Sequence, residues 1–446
     1  MTRLLELQDP QLCLMLLRCC EGMPKLVYCW RTIPPQFLVG LSDIFHEEIR
    51  KALRKIIVGD GPQFGEFQSQ LSSLPVSLGG LGIYSPSHIL SVAYPASFLS
   101  CFRIQRKILG LDLVGPQNNT ILPDSVISLV QTFAEKVSSE PDRIGDLSNK
   151  ILARGTQPFE DIPPPLRNLQ QFMARILFET ERSHLLSHPY ITTKPRQTQN
   201  RFRVILDSAL EHSASAWLFA LPNGGLRQRM TPLEFQAAIS YRLLIPQCES
   251  ITRCNQRLCK SYMDIYGYHA LCCSGHLLPR HNIVRDAIYD SMVKGRSWAP
   301  EKDAQVTCLG HNRGQAVAFR PADILANGDD FDKDCIDCTV VSPIKATNPV
   351  AIQVRQAAEV AEAKKYTKHL AACESAGYGF KAFAIDVFGV MAKESSKLLQ
   401  RIISKLVREM SYPVYRATAL VLRRVSFAVQ LGVARNVILC RAVHDE

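Results

Sequence analysis

Apolar residues recur along the first hundred positions at the three-to-four spacing of helices that bury one face. Leu4, Leu7, Leu12, Leu16 and Leu17 form one stripe, and Phe45, Ile49, Leu53 and Ile57 form another after a Ser42-Asp43 start. Between them, Arg31-Thr-Ile-Pro-Pro35 breaks the pattern, because proline withholds an amide donor and crowds the preceding turn. Leu74-Pro-Val-Ser-Leu-Gly-Gly-Leu-Gly-Ile83 predicts a tight turn leading into a helix over residues 87–101; it lacks the Lys-Ser/Thr ending of a phosphate loop. Leu169, Phe172, Ile176 and Leu177 mark a helix between proline-rich loops at 157–165 and 189–199. A further helix is expected over 203–219. Thr231-Pro-Leu-Glu234 then starts another that reaches Leu244, with Thr as N-cap and Pro in the first turn.

The period changes in the second half. After a helix over 283–292 come strands at 305–309, at 315–319 running on to 324, and at 335–341. A helix over 354–373, an apolar strand over 380–387 and closing helices follow, and strands interleaved with helices in this order predict a small α/β layer. The fold class is therefore α/β, with a mostly helical N-terminal half. Strand alternation puts Asp337 on one face with Cys335, Thr339 and Val341, and Ile336, Cys338 and Val340 on the other. Pro321 confines the strand leading to Asp323 to an edge.

Composition narrows the partners. The chain has 446 residues, a net charge of +11 and fifteen cysteines. Its size suits two or three domains, and its basic balance suits a polyanion such as nucleic acid. No run approaches the ~18 to 20 uninterrupted apolar residues of a membrane span, and the N-terminus carries no secretion signal. A nuclear or cytoplasmic protein, not secreted and with no membrane partner, is expected, with its cysteines reduced and available to metal. Arg154, Arg167, Arg175, Arg182, Lys194, Arg196, Arg201 and Arg203 are read as solvated helix charges or as a surface that tracks a nucleic-acid backbone.

Two sets of residues carry chemistry. Cys254, Cys259, His269 and Cys273 give C-x4-C-x9-H-x3-C, in which three thiolates and one imidazole select Zn²⁺ and fill its shell, the mark of a structural ion. Cys272 competes with Cys273 in this set, His276 and His281 compete with His269, and cysteines packed as small hydrophobes are the plain alternative. The second set is Asp323 and Asp337 with Lys365 and Lys368 on the following helix. A carboxylate amid the apolar run of Asp337 is costly to bury alone, and Asp323 on the neighbouring strand can share a Mg²⁺ with it. Lys365 or Lys368 then stabilises developing phosphate charge. The alternative places Asp323 in a turn and leaves both lysines as solvated charges, with Lys365 paired to Glu362.

These residues together resemble the C-terminal region of non-LTR retrotransposon polyproteins that carry a restriction-enzyme-like endonuclease downstream of the reverse transcriptase. The resemblance rests on Asp264-x-x-Gly267-x-His269-Ala-Leu-x-Cys273, Arg280-His-Asn282-x-x-Arg285-Asp286, Glu301, Arg320-Pro-Ala-Asp323, Asp337-x-Thr-Val-Val-Ser-Pro343 and Ala361-Glu-x-x-Lys365-x-x-Lys368. Upstream, Ser215-Ala-Trp-Leu218, Glu234-Phe235 and Arg242-Leu243 resemble the helical linker of those proteins. It implies a PD-(D/E)xK nuclease that nicks DNA so that the freed 3′ hydroxyl primes reverse transcription. Asp323 and Asp337 are then the metal-binding acids, and Lys365 or Lys368 is a displaced catalytic lysine, since Thr339 stands where a contiguous D-x-K would put it. Arg280, His281, Asn282 and Arg285 fall in the segment that contacts nucleic acid. The implied domains are a post-polymerase region at 1–115, a basic linker at 116–248, a zinc knuckle at 249–280 and the endonuclease at 281–446. No polymerase motif of paired aspartates after an aromatic is present, so copying of the element RNA requires a separate reverse transcriptase. The alternative function is an inactive nucleic-acid-binding remnant that keeps a structural zinc.

Overall fold

The long apolar stripes near the N-terminus fold as helices in this computed structural model, which describes residues 2–59, 64–110, 122–138, 146–257, 259–295, 299–304, 306, 308–312, 315–328, 331–344 and 353–441. The chain divides into two compact units. The first runs to Thr192, and the second starts at Thr193 and also takes in Gln8–Leu12.

Among its described residues the first unit's regular elements are all helices, with Val39–Val58, Glu66–Ser73, Pro86–Ile108, Asp124–Lys136 and Leu169–Leu186 the longer ones. Leu99, Phe102, Val130, Phe133, Met173 and Leu177 form one of its cores, and Trp30, fully buried, centres another. The glycine-rich stretch is a packed turn: Gly79 adopts a left-handed conformation, and the amides of Leu81 and Gly82 donate to the carbonyls of Ser72 and Leu74. A Cβ on Gly80 would sit 2.0 Å from the Leu74 carbonyl oxygen, so only glycine lets the two backbones approach this closely.

The second unit is α/β, mostly helical with small mixed sheets. Helices Arg196–Ser208 and Pro232–Arg242 lead into it, the latter held by the reciprocal capping of Thr231 and Glu234. The predicted 203–219 helix is instead broken: Arg196–Ser208 ends, a short turn at His212–Ser215 follows, and 3-10 geometry over Ala216–Phe219 closes it. A hairpin of β1 (Thr252–Arg253) and β2 (Tyr262–Met263) precedes the helix Leu277–Lys294. The main sheet has the order β3 (Glu301–Lys302), β6 (Ile324–Gly328), β7 (Phe331–Val341) and β8 (Gly379–Asp386), antiparallel except for β7 with β8. β4 (Cys308–Asn312) and β5 (Gln315–Phe319) form a separate hairpin.

The strand expected to run from 315 to 324 is therefore two, because the chain leaves β5 at Arg320-Pro321 and rejoins a different sheet at Ile324. Of the strand expected at 305–309, residues 305 and 307 lie outside the described residues, and β4 begins at Cys308.

The parallel pair β7–β8 requires a crossover, and the helix Gln356–Ser375 supplies it. Strand alternation then divides the core. Ile336, Cys338, Phe383 and Ile385 face a layer built from Leu277–Lys294, Lys393–Met410 and Val414–Cys440. Cys335, Phe380 and Ala382 pack on Ala372 and Cys373 of the crossover helix. Cys335 and Cys338 thus sit in opposite cores. Val414–Cys440 has the length and composition of a membrane span, yet 67% of its most apolar window is buried within the protein, as a core helix requires.

Candidate active site and metal centre

The acid site is built by strand register. β6 and β7 pair Ile324 with Ile336, which sets Asp323, in the bend just before β6, against Asp337. The Cys338 amide donates to Asp323 Oδ2 at 2.7 Å and fixes that carboxylate. His281, on the helix Leu277–Lys294, brings Nε2 to 3.3 Å from Asp323 Oδ1. Asp337 lies on the face that alternation assigned it, toward the crossover helix. There Lys365 Nζ donates to both of its oxygens at 2.8 Å, and His369 Nε2 is 3.4 Å from Oδ2.

The electrostatics follow from this crowding. Burial raises Asp337 to about 6, with Lys365 opposing and the nearby Asp323 adding to the rise. Burial acts on Asp323 in the same direction, but hydrogen bonds from His281, the Cys338 amide and Asp337 outweigh it and bring its carboxyl below the usual range. Burial, aided by the charges of Lys368 and Lys365, pushes His369 down to about 4. Asp337 thus pairs with the Lys365 ammonium, whereas Asp323 is held by His281 and the Cys338 amide. Their oxygens are hard donors, the type that could hold a divalent cation.

The structure separates the two candidate lysines: Lys365 meets Asp337, while Lys368 is exposed one turn on and acts on His369 through its charge. Glu362 pairs elsewhere. It is buried and accepts from the Ser395 amide at 2.9 Å and the Ser395 hydroxyl at 2.6 Å, capping the helix Lys393–Met410.

The four residues expected to contact nucleic acid differ in burial and partners. Arg280 is 1% exposed and donates to the carbonyls of Leu271 and Val340, at 3.0 and 3.5 Å. It packs where Gly432 of the helix Val414–Cys440 lacks a side chain, and burial lowers its pKa to about 10. Its guanidinium therefore holds the protein's own backbone. Arg285 is likewise engaged, with Asp303 and with Asp286 at 2.9 Å, which ties its helix to the strand edge at β3. His281 belongs to the acid site, and Asn282 is half-buried on the same helix.

The cysteine cluster forms where the β1–β2 hairpin meets the turn after Gly267. Cys254 follows β1 and donates its amide to Ser261; Asp264 accepts from the amides of Tyr266 and His269 and so shapes the turn that presents the imidazole. Cys254 Sγ and Cys273 Sγ are 3.9 Å apart, Cys259 Sγ and His269 Nε2 are 3.3 Å apart, and all four donor atoms lie within 4.8 Å of one another. Ligands at ~2.3 Å around a tetrahedral ion stand ~3.8 Å apart, so these four residues can hold a metal ion. Burial pushes the Cys273 thiol up to about 11, whereas the Ser261 amide draws Cys259 below its usual range. Cys272 turns away, exposed, and donates to the Ile344 carbonyl. His276 lies beside Cys273 together with Cys440, a residue more than 150 positions away from the sequence motif that no spacing pattern includes.

No protein-family model matches the chain, and no curated protein matches it.

Proposed function

We propose that the second unit is a metal-dependent DNA endonuclease of PD-(D/E)xK type, acting through Asp323, Asp337 and Lys365. The observation that carries this reading is the meeting of one carboxylate on β7 and one in the bend before β6 with an ammonium from the crossover helix, Lys365 Nζ standing 2.8 Å from each oxygen of Asp337. A mixed four-stranded sheet between helical layers, and the resemblance to retrotransposon endonucleases, support it further.

Asp323 and Asp337 are the residues to hold Mg²⁺, which when bound lowers the pKa of a water and neutralises phosphate charge. The chain's own groups do the rest. The Cys338 amide and His281 hold Asp323 in one orientation, so no reorganisation is needed when substrate arrives. Asp337 must release its proton, which ties activity to pH above about 6 in the absence of tight metal binding. Lys365, freed from part of its pairing, faces the charge that develops on the phosphate. Cys254, Cys259, His269 and Cys273 are proposed as a Zn²⁺ site whose filled shell makes it structural. The proposed partners are target DNA, the element RNA and a separate reverse transcriptase, in the nucleus or cytoplasm.

The pairing of both acids with Lys365 and His281 also favours a second reading, a nucleic-acid-binding protein in which this network is only structural. Supercoiled plasmid with Mg²⁺, and with EDTA as control, separates the two. Nicking should vanish with EDTA and fall by ~100-fold or more in Asp323→Ala, Asp337→Ala and Lys365→Met chains. Undiminished nicking by the aspartate variants refutes the endonuclease; salt-sensitive binding without cleavage in Mg²⁺ or Mn²⁺ selects the second reading.

A further inference from the structure

The metal-ligand cluster extends beyond the four residues of its motif. The sulfurs of Cys273 and Cys440 and a ring nitrogen of His276 lie within 4.8 Å of one another. Cys440 is the final residue of the helix Val414–Cys440 and is fully buried; its carbonyl accepts from the Asn255 amide at 3.2 Å, which fixes the helix end against the knuckle. His276 ends the short turn Ser274–His276, and its Nε2 is buried with no hydrogen-bond partner among the described residues. A ring nitrogen withdrawn from water is normally satisfied by the protein, so an unsatisfied one beside two thiols points to a ligand that is itself a cation.

We propose that Cys273, His276 and Cys440 take a second thiophilic divalent ion of the zinc class, with the Cys273 thiolate shared between the two ions. A tetrahedral ion has four places, and Cys254, Cys259, His269 and Cys273 fill them. His276 and Cys440 are left over, and Cys273 is the donor common to both groups. Charge favours the pair of ions. With Cys440 as a neutral thiol, three thiolates and one divalent ion leave one uncompensated negative charge in a buried cluster, whereas four thiolates with two such ions sum to zero. Each cysteine releases its proton to solvent as metal binds. The Cys254 sulfur or a water completes the second shell.

This inference rests on the reading of the first four donors as a zinc site, and a count of ions distinguishes the two. The full chain, dialysed against excess Mg²⁺ to occupy hard oxygen sites, is assayed for zinc by mass spectrometry and then reloaded with Co²⁺, followed by thiolate-to-cobalt absorbance. Two zinc ions per chain are expected, falling to one in Cys440→Ser and in His276→Gln, with circular dichroism and cooperative melting retained at least in the histidine variant. The cobalt band should lose about half its amplitude in the same variants. One ion per wild-type chain, unchanged in either variant, overturns the second position and keeps the first. Two ions that survive both substitutions also overturn it, and no bound zinc overturns both readings.

Discussion

Replacing Asp337 with asparagine should make the metal-free protein more stable above neutrality while abolishing nicking. Asp337 is 8% exposed, and burial lifts its carboxyl from 3.8 to about 6 even with Lys365 in contact. A rise of about two pKa units corresponds to roughly 3 kcal/mol of differential stabilisation of the protonated form. Because the folded pKa lies above the unfolded one, the stability this group contributes is fully present below about pH 4 and is lost as pH rises through about 6. Asparagine stands in for the protonated acid: its amide can donate to Asp323 as the protonated carboxyl does. Lys365, already 29% exposed, can turn to water. Urea unfolding in Mg²⁺-free buffer that leaves zinc in place should therefore show Asp337→Asn ahead of wild type by up to about 3 kcal/mol at pH 8, with the difference shrinking toward zero near pH 4. If the variant is no more stable at pH 8, or its advantage is the same at both ends of the range, Asp337 is not a charge held at a cost and the electrostatic argument for a cation site fails.

Arg280→Met should cost about 1–2 kcal/mol of stability through the lost bonds to Leu271 and Val340, yet leave the salt dependence of DNA binding unchanged; a slope reduced by about one charge would instead place Arg280 on phosphate. Glu362→Ala removes the buried cap of Lys393–Met410 and should lower stability by about 2–3 kcal/mol, measured by urea unfolding. An unchanged midpoint would show that the Ser395 amide finds water without loss. Gly80→Ala should destabilise the first unit by more than about 3 kcal/mol, since backbone rather than a side chain blocks the added carbon. Circular dichroism melting that matches wild type would mean the turn can relax.

Periodicity made the division of the second core legible, because β7 is long enough for alternation to assign Asp337 and Cys338 to opposite faces. The capping of Thr231 by Glu234 was legible for a different reason: it is decided by residues three apart. Contacts decided by the tertiary fold were not. β3 contributes two residues, too few for any period, and β5 and β6 read as one strand because sequence spacing does not reveal which sheet a strand joins. Arg280 looks like a surface base until the absence of a side chain at Gly432 opens room for it inside. His369 is obscured by the two lysines that precede it, Lys365 and Lys368, although its position one turn after Lys365 is a usable signal. Cys440 carried no signal, since it reaches the cluster only when the last helix folds back over the unit.

The amide of Cys338 also limits which ions suit the acid site. With Oδ2 of Asp323 accepting from that amide at 2.7 Å and Oδ1 3.3 Å from His281 Nε2, coordination through both oxygens must compete with both contacts. Calcium gathers six to eight oxygens and commonly draws both from one carboxylate, whereas magnesium is content with one or two carboxylate oxygens and completes its octahedron with solvent. A peptide bond between neighbouring strands would thus act as a size filter, disfavouring the larger cation through backbone geometry that no side-chain substitution at position 338 except proline removes.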